Sequence, residues 1–245
     1  MTKIRNILIV PDKFKGSLSA SGVADALEVA VRRHLVGGAQ AQVVKLPMAD
    51  GGDGSMEVVE TALGGTCRRI QVETYDALMR PVSAPILLFD EGRGAFIEMA
   101  KVCGLAMLKP EERNPEKTTT YGLGVLIAEA ARLGCRKIVV GIGGSATNDG
   151  GEGIFRALRQ VGHDVSITVA CDVDNPLLGP NGATMVYGPQ KGADPAMLER
   201  LERRMERWAA EAGLDTALQG GGAAGGVGAA LHKLGAELVP GWRLF

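Results

Sequence analysis

Residues Lys137–Gly151 read KIVVGIGGSATNDGG, an apolar run that opens into a loop dense in glycine. A run of this kind suits a buried strand, and a glycine loop at its end presents bare backbone N–H groups at the sheet edge. Successive N–H groups in such a loop form an anion nest, with phosphate the favoured ligand. Ser145, Thr147, Asn148 and Asp149 add hydroxyl, amide and carboxylate groups at the same place. Gly143, Gly144, Ser145 and Asn148 are therefore candidate phosphate-binding residues, and Asp149 is a candidate catalytic carboxylate. The plainer alternative is a tight strand–helix connection, but the loop holds more glycine than such a connection needs.

Strand and helix patterns alternate on either side. Ile4–Val10 is apolar and reads as a buried parallel strand ending at Pro11. Ser19–Leu35 follows with Val23, Leu27, Ala30 and Val31 at helical spacing, Ser19 or Ser21 as cap and Gly37-Gly38 as stop. Gln42–Leu46 is a second strand and Ser55–Leu63 a second helix, closed by Gly64-Gly65. This is the grammar of a parallel α/β sheet. From Thr66 the rhythm changes: Arg68–Val72, Val82–Leu88 and Ala95–Met99 are strands with no helix between them, so part of the sheet is expected to be antiparallel and a domain boundary falls near Arg68. The α/β pattern returns with a helix at Thr118–Leu133 (Val125, Ile127, Ala128 and Ala131 apolar), a strand at Lys137–Gly141, a short helix at Glu152–Gln160 and a strand at Val165–Cys171. Asp194-Pro195 starts a helix that runs to about Ala212. Its charged residues, Glu199 through Arg207 with Glu202 among them, read as a solvated face. Gly220–Gly228 turns into a last helix at Ala229–Leu234.

The composition sets outer limits. The 245 residues carry a net charge of -1, 46% hydrophobic and 22% charged residues, so no nucleic-acid or anionic-membrane partner is expected. The four cysteines form no CxxC pair and read as reduced thiols. With no secretory leader and no apolar run of about 18 residues, a soluble cytoplasmic protein is expected.

Four further loops follow strands and carry polar groups. In Pro11–Ser17, PDKFKGS, Asp12 is a candidate base or metal ligand, Lys13 and Lys15 are candidate phosphate neutralisers, and Gly16 and Ser17 are candidate donors. In Ala49–Gly54, ADGGDG, Asp50 and Asp53 suit Mg²⁺, which takes one or two carboxylates plus phosphate oxygens, and Gly51 and Gly52 offer backbone donors. In Cys171–Ala183, Asp172, Asp174 and Asn175 sit together, and Tyr187–Ala193 adds Gln190 and Lys191. Such residues are common in plain turns. Loops at strand carboxyl ends nevertheless converge, because open α/β sheets bind ligands there.

Other chemistries fit less well. No GxxxxGK followed by Ser or Thr occurs, nor a protein-kinase HRD or DFG set. His34, His163 and His232 stand alone, as surface or helix-end residues do. Gly141, Gly143 and Ala146 match a dinucleotide fingerprint, which would mean a nicotinamide-dependent oxidoreductase. That fingerprint wants a helix at once and an acidic residue about 20 positions on; Asn148–Gly151 interrupts the helix and Asp172 lies too far along.

Taken in order, PDKFKGSLSA, MADGGDG, EMAKVCGL, TTTYGLG, GIGGSATNDGG, ACDVDNPLLGPNGA, YGPQKGA and GGGAAGG resemble the type-1 glycerate kinase family over nearly the whole chain. The resemblance implies ATP-dependent phosphorylation of D-glycerate, with Mg²⁺, to phosphoglycerate, the 2-phospho product favoured. It also implies a two-domain α/β fold, in which a Rossmann-like parallel-sheet domain is split by an inserted mixed α/β domain. Residues 1–67 would be the first part of the split domain, with its C-terminal part largely missing, and 68–245 the inserted domain and the start of the return segment. Lys13, Lys15 or Lys191 would offset phosphate charge. Asp50, Asp53, Asp149 or Asp172 would hold Mg²⁺, and Asp149 or Asp12 would orient or deprotonate the glycerate hydroxyl. The chain departs from the family pattern in being short between Gly151 and Asp164 and beyond Gly235–Gly241. An inactive remnant is the alternative this implies, and a homo-oligomer is compatible with either reading.

Overall fold

The computed structural model describes residues 6–34, 40–159 and 165–244. Ile4, Leu35, Gly37, Gly38, Gln160, His163 and Asp164, which figure in the sequence reading, lie outside the described residues.

The chain opens with a parallel βαβ unit. β1 (Asn6–Ile9) pairs with β2 (Gln42–Lys45) from Asn6↔Gln42 to Ile9↔Lys45, with α1 (Ala20–His34) between them in sequence. Ser19 caps α1, its Oγ accepting the Gly22 amide at 3.1 Å. Two expectations need correction here. β1 is not a buried strand: Leu8 and its ladder partner Val44 are 62% and 48% exposed. On α1, Val23 is buried but Leu27 and Ala30 are exposed. The reason is geometric: strand side chains alternate between faces, and two strands with one helix leave the other face uncovered among the described residues.

α2 (Ser55–Leu63) leads into a six-stranded mixed sheet. β3 (Arg68–Tyr75), β4 (Pro81–Phe89) and β5 (Gly94–Glu98) are antiparallel neighbours, as the missing helices predict. Then come α3 (Ala100–Cys103), α4 (Tyr121–Arg132), β6 (Lys137–Gly141), α5 (Glu152–Leu158), β7 (Ser166–Ala170), α6 (Ala183–Tyr187), α7 (Pro195–Ala212), α8 (Ala223–Lys233) and β8 (Glu237–Val239). β5, β6, β7 and β8 run parallel, in spatial order 5-6-7-8.

Alternation builds the core. Ile86, Ala95, Ile97, Ile138 and Val140 share one large apolar cluster with residues of α4, α5 and α8. The alternate residues Leu87, Phe96 and Val139 pack instead with Met56 and Val59 of α2. The inward stripe of α4 is Leu123, Leu126, Ile127 and Ala130; of the four residues expected there only Ile127 is buried. α8 begins earlier than expected, with Ala224, Gly225 and Gly226 at φ 54, 72 and 95 in its first turn. α7 starts as read, Asp194 accepting the Met197 amide at 2.7 Å. Glu202, however, leaves the solvated face and is buried, accepting the Gly179 amide at 2.7 Å. No helix among the described residues is long and apolar enough to cross a membrane.

Candidate functional site

The parallel strands end at one level. Glu98, Gly141, Ala170 and Val239 are successive register partners across β5–β8, so the loops after β5, β6 and β7 leave from a common rim. The loop after β2 reaches this rim from the small sheet. The Gly143 amide donates to the Gly51 carbonyl at 3.1 Å. A Cβ on Gly141 would lie 2.5 Å from the Gly51 oxygen, and one on Gly143 2.6 Å from the Gly52 Cα. These glycines form a seam where two backbones touch. That contact accounts for Gly51, Gly52 and Gly141. It also takes up the glycines of the dinucleotide fingerprint, whose helix α5 does not open until Glu152.

Two cavities flank the seam. The first, about 300 Å³, is lined by Asp12, Lys13, Lys15, Gly16, Ser17 and Asp53, with Lys101. The second, about 170 Å³, is lined by Asp50, Gly143, Gly144, Ser145, Asp172, Gln190 and Lys191, with Tyr187 and Ala224. Lys13 and Asp50 join them: Lys13 Nζ sits 2.7 Å from Asp50 Oδ1 and 3.6 Å from Asp12 Oδ1. Partial burial works against the Lys13 charge, yet the Asp50 hydrogen bond and the fields of Asp50 and Asp12 outweigh it and raise its pKa. Asp50 is held below the usual carboxylate range: burial opposes this, but Lys13 and the Gly52 amide prevail. Asp172 shifts upward, first through burial, then through Asp50 and Asp12, against the Gly241 amide that donates to it at 2.7 Å. Lys191 is 2% exposed and burial lowers its pKa to about 7, with Asp149 opposing. Its ammonium donates to the Thr147 carbonyl at 2.7 Å.

Besides Gly51 and Gly52, the candidates Asp149, Asn148 and Asn175 lie outside both cavities. Asp149 is buried, and Oδ2 accepts from the Thr120 amide (2.8 Å), the Thr120 hydroxyl (2.9 Å), the Thr119 hydroxyl (3.2 Å) and the Gly153 amide (3.2 Å), while Oδ1 accepts from the Gly151 amide (3.2 Å). It ties the glycine loop to the starts of α4 and α5. Asn148 donates to Thr184 Oγ1 in the interior. Asn175 is held in its turn by the Tyr187 hydroxyl and the Asn181 carbonyl. His34 and His232 stand at helix ends, away from both cavities.

Sequence reasoning missed Lys101 and Glu98. Lys101 lines the first cavity and pairs with Glu57 at 3.2 Å and Glu98 at 3.7 Å. Glu98 ends the otherwise apolar GAFIE strand, and a lone charge at the end of a fully buried strand was the signal available. Among the described residues no group of three or more His, Cys, Asp or Glu side chains is placed to hold a metal ion. The carboxylates present instead suit an ion that brings phosphate oxygens as its other ligands.

Comparison with known proteins gives a consistent result. A family model described as the glycerate kinase family matches residues 7–161 and 158–245. The glycerate 2-kinase of Escherichia coli (strain K12) is 40% identical over 273 positions, covering 96% of this chain and 70% of that protein. The glycerate kinase of Bacillus subtilis (strain 168) is 40% identical over 271 positions, with 96% and 70% covered. A crystal structure from Salmonella typhimurium LT2, assigned to glycerate kinase 2, superposes with a TM-score of 0.80 at 40% identity, covering 98% of this chain and 73% of that one. Both alignments are longer than the 245 residues of the chain, and the two family matches meet at 158–161, within the stretch that is short against the family pattern.

Proposed function

The chain belongs to the glycerate kinase family and is a kinase, and we propose that it moves the terminal phosphoryl group of ATP onto the 2-hydroxyl of D-glycerate across the seam between its two cavities. The observation that carries this reading is the Asp12–Lys13–Asp50 cluster, which joins the cavities at the rim where the parallel strands end. Phosphoryl transfer asks a protein mainly for positioning and charge neutralisation. In the larger cavity Lys13, Lys15 and Lys101, with Gly16 and Ser17, would receive the nucleotide phosphates. The smaller cavity suits a three-carbon acid: Lys191 and the Gly143–Ser145 backbone would meet its carboxylate or the incoming phosphoryl group.

Asp172, shifted upward and facing that cavity, is the proton acceptor we favour, with Asp12 as second candidate. The substrate hydroxyl oxygen attacks the γ-phosphorus, its proton passes to the carboxylate, and ADP leaves. Asp149 braces the loop, because its oxygens are committed to protein donors. Mg²⁺, bound with the nucleotide and held by Asp50 or Asp53, would neutralise charge on the phosphates. Residues 1–67 are read as the first part of a split Rossmann-like domain.

The test is ADP release by the purified chain with Mg-ATP and D-glycerate, with ³¹P NMR identifying the product. A 3-phosphoglycerate resonance overturns the regiochemistry, and no turnover sinks the activity. The exposed apolar face of β1 and β2 favours a second reading, that this chain binds nucleotide without turning over. A melting midpoint raised by Mg-ATP together with no ADP release would establish it.

A further inference from the structure

We propose that Glu98 is a positioning residue of the phosphoryl-transfer site: from the end of the central strand β5 it caps α2 and thereby fixes the loop that carries Asp53. The inference rests on the proposal that the larger cavity takes the nucleotide phosphates. Helix starts leave N–H groups without intrahelical partners, and a side chain just before the helix usually accepts one of them. α2 lacks this local solution. Its cap residue is Gly54, at φ 88, which has no side chain to offer. Glu98, distant in sequence and 0% exposed, supplies the acceptor instead: Oε1 takes the Gly54 amide at 3.0 Å and Oε2 the Met56 amide at 2.8 Å. Its negative charge also meets the positive end of the helix dipole.

The consequence reaches the site. The loop before α2 is gripped on one side by the glycine seam, through the Gly51 carbonyl, and on the other by Glu98. Asp53 lies between these two grips and lines the larger cavity. Lys101, one turn beyond Glu98, lines the same cavity with its ammonium 3.7 Å from Glu98 Oε1. One buried carboxylate thus sets both a carboxylate and a cation at the place read as the phosphate site.

The test compares the wild-type chain with E98Q and E98D. Gln offers one acceptor oxygen for two amides, whereas Asp keeps both oxygens and the charge on a shorter arm. In wild type the Gly54 and Met56 amides are expected to exchange hydrogen slowly, and in E98Q about tenfold or more faster. Mg-ATP binding by calorimetry is expected to weaken about tenfold in E98Q, with E98D closer to wild type and the KM for D-glycerate within about twofold. A lower melting temperature with unchanged Mg-ATP affinity would reduce Glu98 to a stability residue and overturn the proposal. If E98Q does not fold, E98D carries the affinity comparison. Fast exchange of the two wild-type amides overturns the proposal without any variant. No wild-type turnover, with Mg-ATP still bound, sinks the kinase reading alone.

Discussion

Lys191 is a charged group held where charge is costly, and its titration follows from that. Between about pH 7 and the ordinary lysine value of 10.5 the unfolded chain binds this proton and the folded chain does not. Stability from this group therefore rises with pH across that window. Urea unfolding at pH 7, 8 and 9 is expected to show this climb in wild type and a flatter line in Lys191→Met. The same variant should lose about 100-fold in kcat/KM, because the group proposed to meet the substrate carboxylate or the incoming phosphoryl group is removed. If the ammonium form is the working one, wild-type kcat/KM declines as pH rises through about 7, and Lys191→Arg flattens that limb. Asp149 makes a different prediction. Asp149→Asn sets an NH₂ group among protein donors, so unfolding free energy should fall by about 2–4 kcal/mol in urea titrations; an unchanged value would mean those bonds do not hold in solution. At this scale the sequence named Lys13, Lys15, Asp12, Asp50 and Asp172, and the structure sets them in the walls of two neighbouring cavities. Glu98 offered only the signal of a lone charge on an apolar strand, because its partners lie in α2 and nothing local to residues 94–98 announces them.

Among elements, the junction of the β2–α2 and β6–α5 loops is the sensitive place. An alanine at Gly141 would put its methyl 2.5 Å from the Gly51 carbonyl, and backbone cannot swing aside as a long side chain can. Gly141→Ala is expected to cost about 1–3 kcal/mol in thermal or urea unfolding and to lower kcat/KM, since Asp50, the partner of Lys13, is the neighbour of Gly51 in this junction. Unchanged kinetics and stability would show the seam to be loose. The extents of α2, β6 and α7 were legible from caps, stops and periodicity. α3 and β8 were not, being too short for a period to show. The stripe of α4 was misread because GLGVLIAEAA is apolar nearly all round. Only packing against α5 and the sheet selects Leu123, Leu126, Ile127 and Ala130.

Across the whole molecule, the two sheets are covered very unequally. The six-stranded sheet packs apolar side chains on both faces, while β1 and β2, with the residue that follows each, leave Leu8, Val10, Val44 and Leu46 exposed. Parallel strands are normally buried on both faces. Leu8→Lys and Val44→Lys should each change unfolding free energy by under about 0.5 kcal/mol and reduce binding of an apolar dye. A loss of several kcal/mol in either would show that the face is covered in solution. By itself the sequence determined the α/β class, the antiparallel interlude, the order of polar loops at strand ends and the glycerate kinase family, because caps, periodicity and contiguous motifs are local and survive in one dimension. Tertiary structure alone decided which glycines meet backbone and which line a cavity, that Asp149 is spent as a brace, and that Glu98 caps a helix from another element. Each of those depends on which atoms approach across long stretches of chain, and packing, not neighbouring residues, sets that distance.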